Sequence, residues 1–220
     1  MTKVKHILFD CDGVLVDTEY TAAIKMTAAL QSLGVDVTVD YYLENLTGTT
    51  FSSIVDKYLQ NSISNDDAVQ LVERVEDEVA EDVKLIEGVD ELLSSITLKN
   101  SVVSNSAILR VEHALRHTGI DHHFSKTIFS AELVNRPKPA PDVYLLAIKS
   151  LGCAPSEIIV VEDSITGATA AIAAGLKVIG FTGASHILPA HEQKLRAVGV
   201  TEVAPSMQQL GAILNKILLD

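Results

Sequence analysis

A chain of 220 residues with 47% hydrophobic and 21% charged side chains is too apolar and too evenly mixed to be disordered or fibrous. Its formal charge of −12, from 17 basic against 29 acidic residues, repels nucleic acid and anionic lipid over most of the surface. Two cysteines, Cys11 and Cys153, without a CxxC pair, exclude a disulfide framework and a cysteine zinc site, and no stretch approaches the roughly 18 uninterrupted apolar residues of a membrane span.

The first predicted strand is Val4–Phe9. From Thr18 to Lys84 no strand is convincing, and the composition reads as helices at Ala22–Leu33, Phe51–Leu59 and Ala68–Val83, with the acidic run Glu73–Asp82 on a solvated face. Beyond it, strands Ser101–Val103, Thr127–Ser130, Glu157–Val161 and Lys177–Phe181 alternate with helices Val89–Ile96, Ala107–Thr118, Asp142–Leu151, Ile165–Ala174 and Met207–Leu219. Gly34, Gly88, Gly119, Gly152 and Gly175 each follow a helical run, the place of a C-cap glycine. Alternation of apolar strands with helices predicts an α/β fold, a doubly wound parallel sheet with a Rossmann-like core. Connections in such sheets are short, so the helices of residues 18–84 predict an inserted α-helical domain, leaving 1–17 and 85–220 as the core.

Loops leaving the carboxyl ends of parallel strands converge on a crevice. Four segments fall there. Asp10 and Asp12 flank Cys11 directly after the first strand, and the Gly-Val-Leu-Val that follows is not an ordinary helix start, which argues against a capping pair. Ser104, Asn105 and Ser106 follow the second; taken alone, they read better as a helix N-cap. Lys138 lies among Pro137, Pro139 and Pro141, in a segment expected to be extended and stiff, although a plain proline-rich turn reads the same way. Glu162 and Asp163 end another apolar strand, where adjacent acids repel unless a cation lies near. Asp10, Asp12, Glu162 and Asp163 make a hard oxygen set suited to Mg²⁺. With Lys138 and a serine they match phosphoryl transfer through an aspartyl-phosphate: a carboxylate nucleophile, an acid/base, a metal and donors to phosphoryl oxygens.

In this order the four segments resemble the motifs of the haloacid dehalogenase superfamily: FDCDGVLVDTE the first, VVSNS the second, RPKPAPDVY the third and VVEDSITGATAA the fourth. The resemblance implies that Asp10 is the phosphorylated nucleophile and Asp12 the acid that becomes the base, with Ser104 and Lys138 binding the phosphoryl oxygens. It also implies a Mg²⁺ site from Asp10, the backbone carbonyl of Asp12, Asp163 and Glu162. The insertion is similar to the helical cap of the subgroup containing β-phosphoglucomutase and phosphoglycolate phosphatase. Asp12 is missing from true haloacid dehalogenases, so phosphoryl chemistry is expected. β-Phosphoglucomutases carry a histidine twelve residues after the nucleophile and an arginine in a cap loop; here Ala22 and Phe51 hold those places. The expected activity is a Mg²⁺-dependent phosphatase for small phosphate monoesters, sugar or polyol phosphates, with a phosphosugar mutase as the alternative. A silent phospho-acceptor protein is disfavoured by Asp12. Substrate contacts are expected from Asn105, Gly48, Thr49, Thr50 and Phe51, although the cap residues equally suit a plain loop. The resulting picture is a cytoplasmic enzyme, a monomer or weak homo-oligomer, whose partner is a small phosphate ester and neither nucleic acid nor membrane.

Two other patterns carry less. Cys11 lacks the arginine six positions on that a cysteine phosphatase needs, Asp17 standing there. His113 and His117 at i, i+4 lack the HExxH glutamate and read as a solvated face, and His122-His123 reads as surface.

Overall fold

The computed structural model describes residues 3–47, 49–60, 62–124 and 127–219. In chain order the elements are β1 (His6–Phe9), α1 (Thr18–Ser32), α2 (Val39–Asn45), α3 (Phe51–Leu59), α4 (Asn65–Glu81), α5 (Val89–Ser95), β2 (Lys99–Ser104) and α6 (Ile108–His117). They continue with β3 (Ile128–Ser130), α7 (Asp142–Leu151), β4 (Ile158–Glu162), α8 (Ile165–Ala173), β5 (Lys177–Phe181), α9 (His191–Ala197), β6 (Glu202–Ala204) and α10 (Met207–Leu219). All six strands join one parallel sheet in the order β3-β2-β1-β4-β5-β6, the doubly wound α/β arrangement.

Central strands of a parallel sheet are covered on both faces and need apolar side chains throughout. Ile7, Leu8 and Phe9 of β1 and Ile158–Val161 of β4 are accordingly buried to the last percent. Leu8, Val103, Phe129 and Val160 pack against Tyr144 and Ala147 of α7 and Ala168 and Ala171 of α8. The alanines of α8 let that helix lie close to the sheet.

This order has one functional consequence. From β1 the chain winds outward to β2 and β3, then returns to the other side of β1 as β4 and winds on through β5 and β6. The direction reverses between β1 and β4, where a crevice opens at the carboxyl ends of the strands. Phe9 pairs in register with Val161, and the Asp10 N–H donates to the Val161 carbonyl at 2.9 Å. Asp10 therefore emerges beside Glu162.

Two compact units form: residues up to Asp17 with those from Lys84 onward, and Thr18–Val83. The second has a core of its own, including Ala22, Met26 and Leu30 of α1, Tyr42, Ile54, Leu59, and Leu71, Val75 and Val79 of α4. Those last three recur every four residues, so the acids between them face solvent.

Some elements differ from expectation. β6 and α9 are additional; β6 is a three-residue edge strand too short to show a period. α2, capped by the Thr38 hydroxyl accepting from the Tyr41 N–H, is likewise additional. β2 begins at Lys99 because Asn100 and Ser101, polar yet buried, continue the ladder; Ser101 hydrogen-bonds His6 at 3.0 Å. Gly88 is the N-cap of α5 at φ +83°, because α4 has already ended at Glu81. Among the described residues no helix is long and apolar enough to cross a membrane.

Leu8→Ala would leave a cavity between β1, β4 and α7. It is expected to lower the unfolding free energy by about 2–5 kcal/mol, measured by denaturant titration.

Candidate active site

Four segments meet at the switch point, and a buried ammonium joins them. Lys138 Nζ lies 2.6 Å from Asp10 Oδ1, 2.9 Å from Glu162 Oε2 and 3.1 Å from the carbonyl of Val103, and its side chain is 3% exposed. Three acceptors thus match the three protons of the ammonium. Tyr144, one turn into α7, donates its hydroxyl to Glu162 Oε2 at 3.0 Å, and its ring lies 5.2 Å from the ammonium. Ser164 completes the other side, its hydroxyl and N–H both directed to Glu162 Oε1 at 2.5 and 3.2 Å. Gly167 faces this carboxylate so closely that a Cβ there would overlap it.

Lys138 sits in a turn, closed by the Ala140 N–H donating to the Pro137 carbonyl at 2.9 Å, with a cis Lys138–Pro139 peptide. The expected extended segment is corrected accordingly: tertiary bonds hold the lysine, and the prolines shape a turn. Arg136 anchors one side of this turn through two bonds to Asp142, at 3.1 and 2.8 Å. Asn105 anchors the other, accepting from the Lys138 N–H at 2.9 Å and donating to its carbonyl at 3.3 Å. The Asn105 amide is therefore directed to the lysine loop.

The segment after β2 does not cap a helix with its own side chains. Ala107 is the N-cap of α6, and the Ile108 N–H is met by Glu132 Oε2 at 2.8 Å. Ser104, buried, instead accepts from the Ser106 N–H at 2.9 Å, and Ser106 donates its hydroxyl to Asp12 Oδ2 at 2.8 Å. Arg110 comes to 4.0 Å from the same carboxylate. The backbone reverses at Gly13, φ +78°, where a Cβ would overlap the Asp163 carboxylate.

Asp163 is held from a segment that carries no sequence motif. His186 Nε2 lies 3.2 Å from its Oδ2, and His191 Nε2 lies 2.6 Å from its backbone carbonyl. Both histidines follow β5, in SHILPAH, and sequence reasoning missed them together with Arg110 and Gly167, while it gave Ser106 and Ser164 no role of their own.

Asp10, Glu162 and Asp163 each present an oxygen within 4.8 Å of the other two, all three residues buried. Burial, followed by the charge of Glu162, pushes the Asp10 carboxyl well above its ordinary range, against the pull of Lys138. Burial alone would depress Lys138, but Asp10 and Glu162 outweigh it and hold the ammonium well above the usual lysine value. Asp10 and Glu162 share one ammonium and Asp163 lies beside His186; the hard oxygen donors of these three buried carboxylates fit a Mg²⁺-like cation. Cys11, between the two aspartates, is buried, and burial raises its thiol well above the ordinary value. It stays a packed thiol rather than a nucleophile.

In the inserted unit, Thr50 caps α3 by accepting from the Ser53 N–H, Thr49 donates its N–H to the Leu46 carbonyl, and Phe51 is buried in the unit's own core. Gly48 lies outside the described residues. His113 and His117 are exposed on α6 with stacked rings, and His123 Nε2 lies 3.0 Å from Asp90 Oδ1.

A family model for haloacid dehalogenase-like hydrolases matches residues 7–181. The chain belongs to this family. Its curated relatives include a 6-phosphogluconate phosphatase of Escherichia coli, 29% identical over 86% of this chain and 87% of that one. A fructose-1-phosphate phosphatase of the same organism is 29% identical over 79% of this chain and 94% of that one. A crystal structure of a haloacid dehalogenase-like protein of unknown function from Agrobacterium tumefaciens superimposes with a TM-score of 0.83 at 36% identity, covering 97% of this chain and 99% of that one.

Tyr144→Phe removes one bond to the buried Glu162 carboxylate while keeping the ring. It is expected to cost about 1.5–3 kcal/mol of stability, the value of a bond to a charged group, read from chemical denaturation.

Proposed function

We propose that the protein is a divalent-metal-dependent phosphatase that hydrolyses small phosphate monoesters, sugar or polyol phosphates, through a phosphorylated Asp10. The observation that carries this reading is the convergence of Asp10, Glu162, Asp163 and Lys138 at the switch point, with Asp12 two residues from Asp10 and hydrogen-bonded to Ser106.

In the first half-reaction a carboxylate oxygen of Asp10 attacks phosphorus, the bond from phosphorus to the alcohol oxygen breaks, and Asp12 gives that oxygen a proton. In the second, Asp12 takes a proton from water as the water oxygen attacks the same phosphorus; inorganic phosphate leaves and Asp10 is regenerated. Ser106 orients Asp12 for both transfers, and Ser104 supports Ser106 through its N–H. Lys138 offsets the negative charge that would repel a phosphate dianion; with its three protons engaged, it acts on the phosphoryl group first through its charge. Asp10 and Asp163 are the proposed metal carboxylates, with the Asp12 carbonyl a further ligand and Glu162 contributing from its place between Lys138 and Ser164. A bound Mg²⁺ would supply charge stabilisation at the phosphoryl oxygens.

The sugar or polyol substrate class is supported by the relatives that act on phosphorylated sugars. Hydrolysis is favoured over the mutase alternative because Ala22 and Phe51, at the positions where mutases carry a histidine and an arginine, are apolar and buried in the inserted unit's core. Neither position supplies a cation to hold a second phosphate.

Phosphate release and product identity across sugar and polyol phosphates, with Mg²⁺ and after its chelation, test this reading. Metal-dependent release is expected; an isomerised phosphate ester without free phosphate would establish the mutase. Asp10→Asn is expected to abolish turnover, and Asp12→Asn to reduce kcat about 10²–10⁴-fold. Release by Asp10→Asn near the original rate would refute the assignment.

A further inference from the structure

We propose that His186 and His191 are positioning residues that fix Asp163 to receive the divalent cation, His186 by its side chain and His191 by its main chain. The proposal rests on the reading of Asp163 as a metal carboxylate. No motif marks either histidine, and both come from the single segment that joins β5 to α9 and opens α9.

The geometry separates the two tasks. His186 and the Asp163 carboxylate are both enclosed, 7% and 6% exposed, with Nε2 and Oδ2 3.2 Å apart. A carboxylate turns about two side-chain bonds, and a small cation with near-octahedral demands tolerates little misplacement. Gly13 packs against the same carboxylate oxygen: a Cβ there would overlap the Asp163 carboxylate and lie 3.0 Å from His186 Cε1. The Asp163 carboxylate thus lies against both the loop after β1 and the segment after β5, and these contacts restrict its rotation. His191 acts one bond further back. A carbonyl oxygen only accepts, so the 2.6 Å contact to the Asp163 carbonyl places a proton on His191 Nε2 and pins the backbone where β4 ends.

Glu162, the neighbouring acid, is oriented by different groups, Lys138, Tyr144 and Ser164. The two acids that end β4 therefore have separate supports, and only that of Asp163 runs through the two histidines. Hydrogen-bond partners of metal-ligating groups commonly change metal affinity 10–100-fold when removed.

The test is direct Mn²⁺ binding at one fixed pH, followed by electron paramagnetic resonance of the free ion and by calorimetry, with metal-free thermal unfolding as the control for folding. Asp163→Asn is expected to weaken Mn²⁺ strongly. His186→Ala should weaken it about 10–100-fold, and His186→Gln, which keeps an N–H near the place of Nε2, should restore most of the loss. His191→Ala should weaken binding by a smaller factor, and it carries the test if His186→Ala does not fold. In turnover assays both alanine variants should need more Mg²⁺ for half-activation while approaching the original kcat at saturation. Unchanged Mn²⁺ affinity in folded His186→Ala or His191→Ala, with Asp163→Asn impaired, would overturn the proposal. Unchanged affinity in Asp163→Asn would overturn it together with the metal role of Asp163.

Discussion

A single buried ammonium couples this protein's fold to its chemistry. Lys138 touches Asp10 after β1, the Val103 carbonyl of β2 and Glu162 at the end of β4, while its own backbone is held by Asn105 from the loop after β2. Burying a charge costs several kcal/mol unless partners with good geometry surround it, and removing one partner leaves the others uncompensated. The loop before α7 is therefore fastened to the carboxyl ends of three adjacent strands. The same contacts that satisfy the lysine also set the spacing of the carboxylates around it. Asp10, Glu162 and Asp163 gather their oxygens within 4.8 Å of one another there, a hard donor set that fits a divalent cation on an otherwise acidic protein.

The sheet order supplies the place for this cluster. Only where winding reverses, between β1 and β4, do two successive loops diverge and leave open ground above the sheet. Asp10 and Glu162 stand side by side there because β1 and β4 pair in register, so a one-residue slip would turn one of them away. Two glycines allow the close approach: Gly13 leaves space for Asp163, and Gly167 leaves space for Glu162. The insertion folds about its own apolar stripe, and the Phe51 and Ala22 side chains belong to that stripe.

Much of this was legible in the sequence because it depends on local pattern. The central strands are uniformly apolar, the helices α7, α8 and α10 show their period, and the acids, Lys138 and Ser104 follow strands at positions that parallel-sheet geometry directs to one crevice. What escaped has common physical causes. β6 is too short to have a period, α2 and α9 are single pairs of turns, and the start of β2 is disguised by buried Asn100 and Ser101. Gly88 looked like a helix stop because a glycine at positive φ serves either end, and only the neighbouring elements decide which. Asn105 carried the composition of a substrate contact, yet its amide faces the Lys138 backbone 33 positions away in the chain, and composition does not encode that partner.

Sequence alone determined the alternating α/β class, the interruption by helices after the first strand, and which residue types stand at strand ends, because each of these follows from hydrophobic period and chain adjacency. Tertiary structure decided the partners: Lys138 between Asp10 and Glu162, Ser106 on Asp12, Tyr144 and Ser164 on Glu162, His186 and His191 on Asp163. Apart from Ser164 on Glu162, two positions away, each of those bonds joins residues distant in the chain whose separation in space is set by strand order and register, and a hydrogen bond made at about 3 Å depends on that separation rather than on anything its own stretch of chain can express.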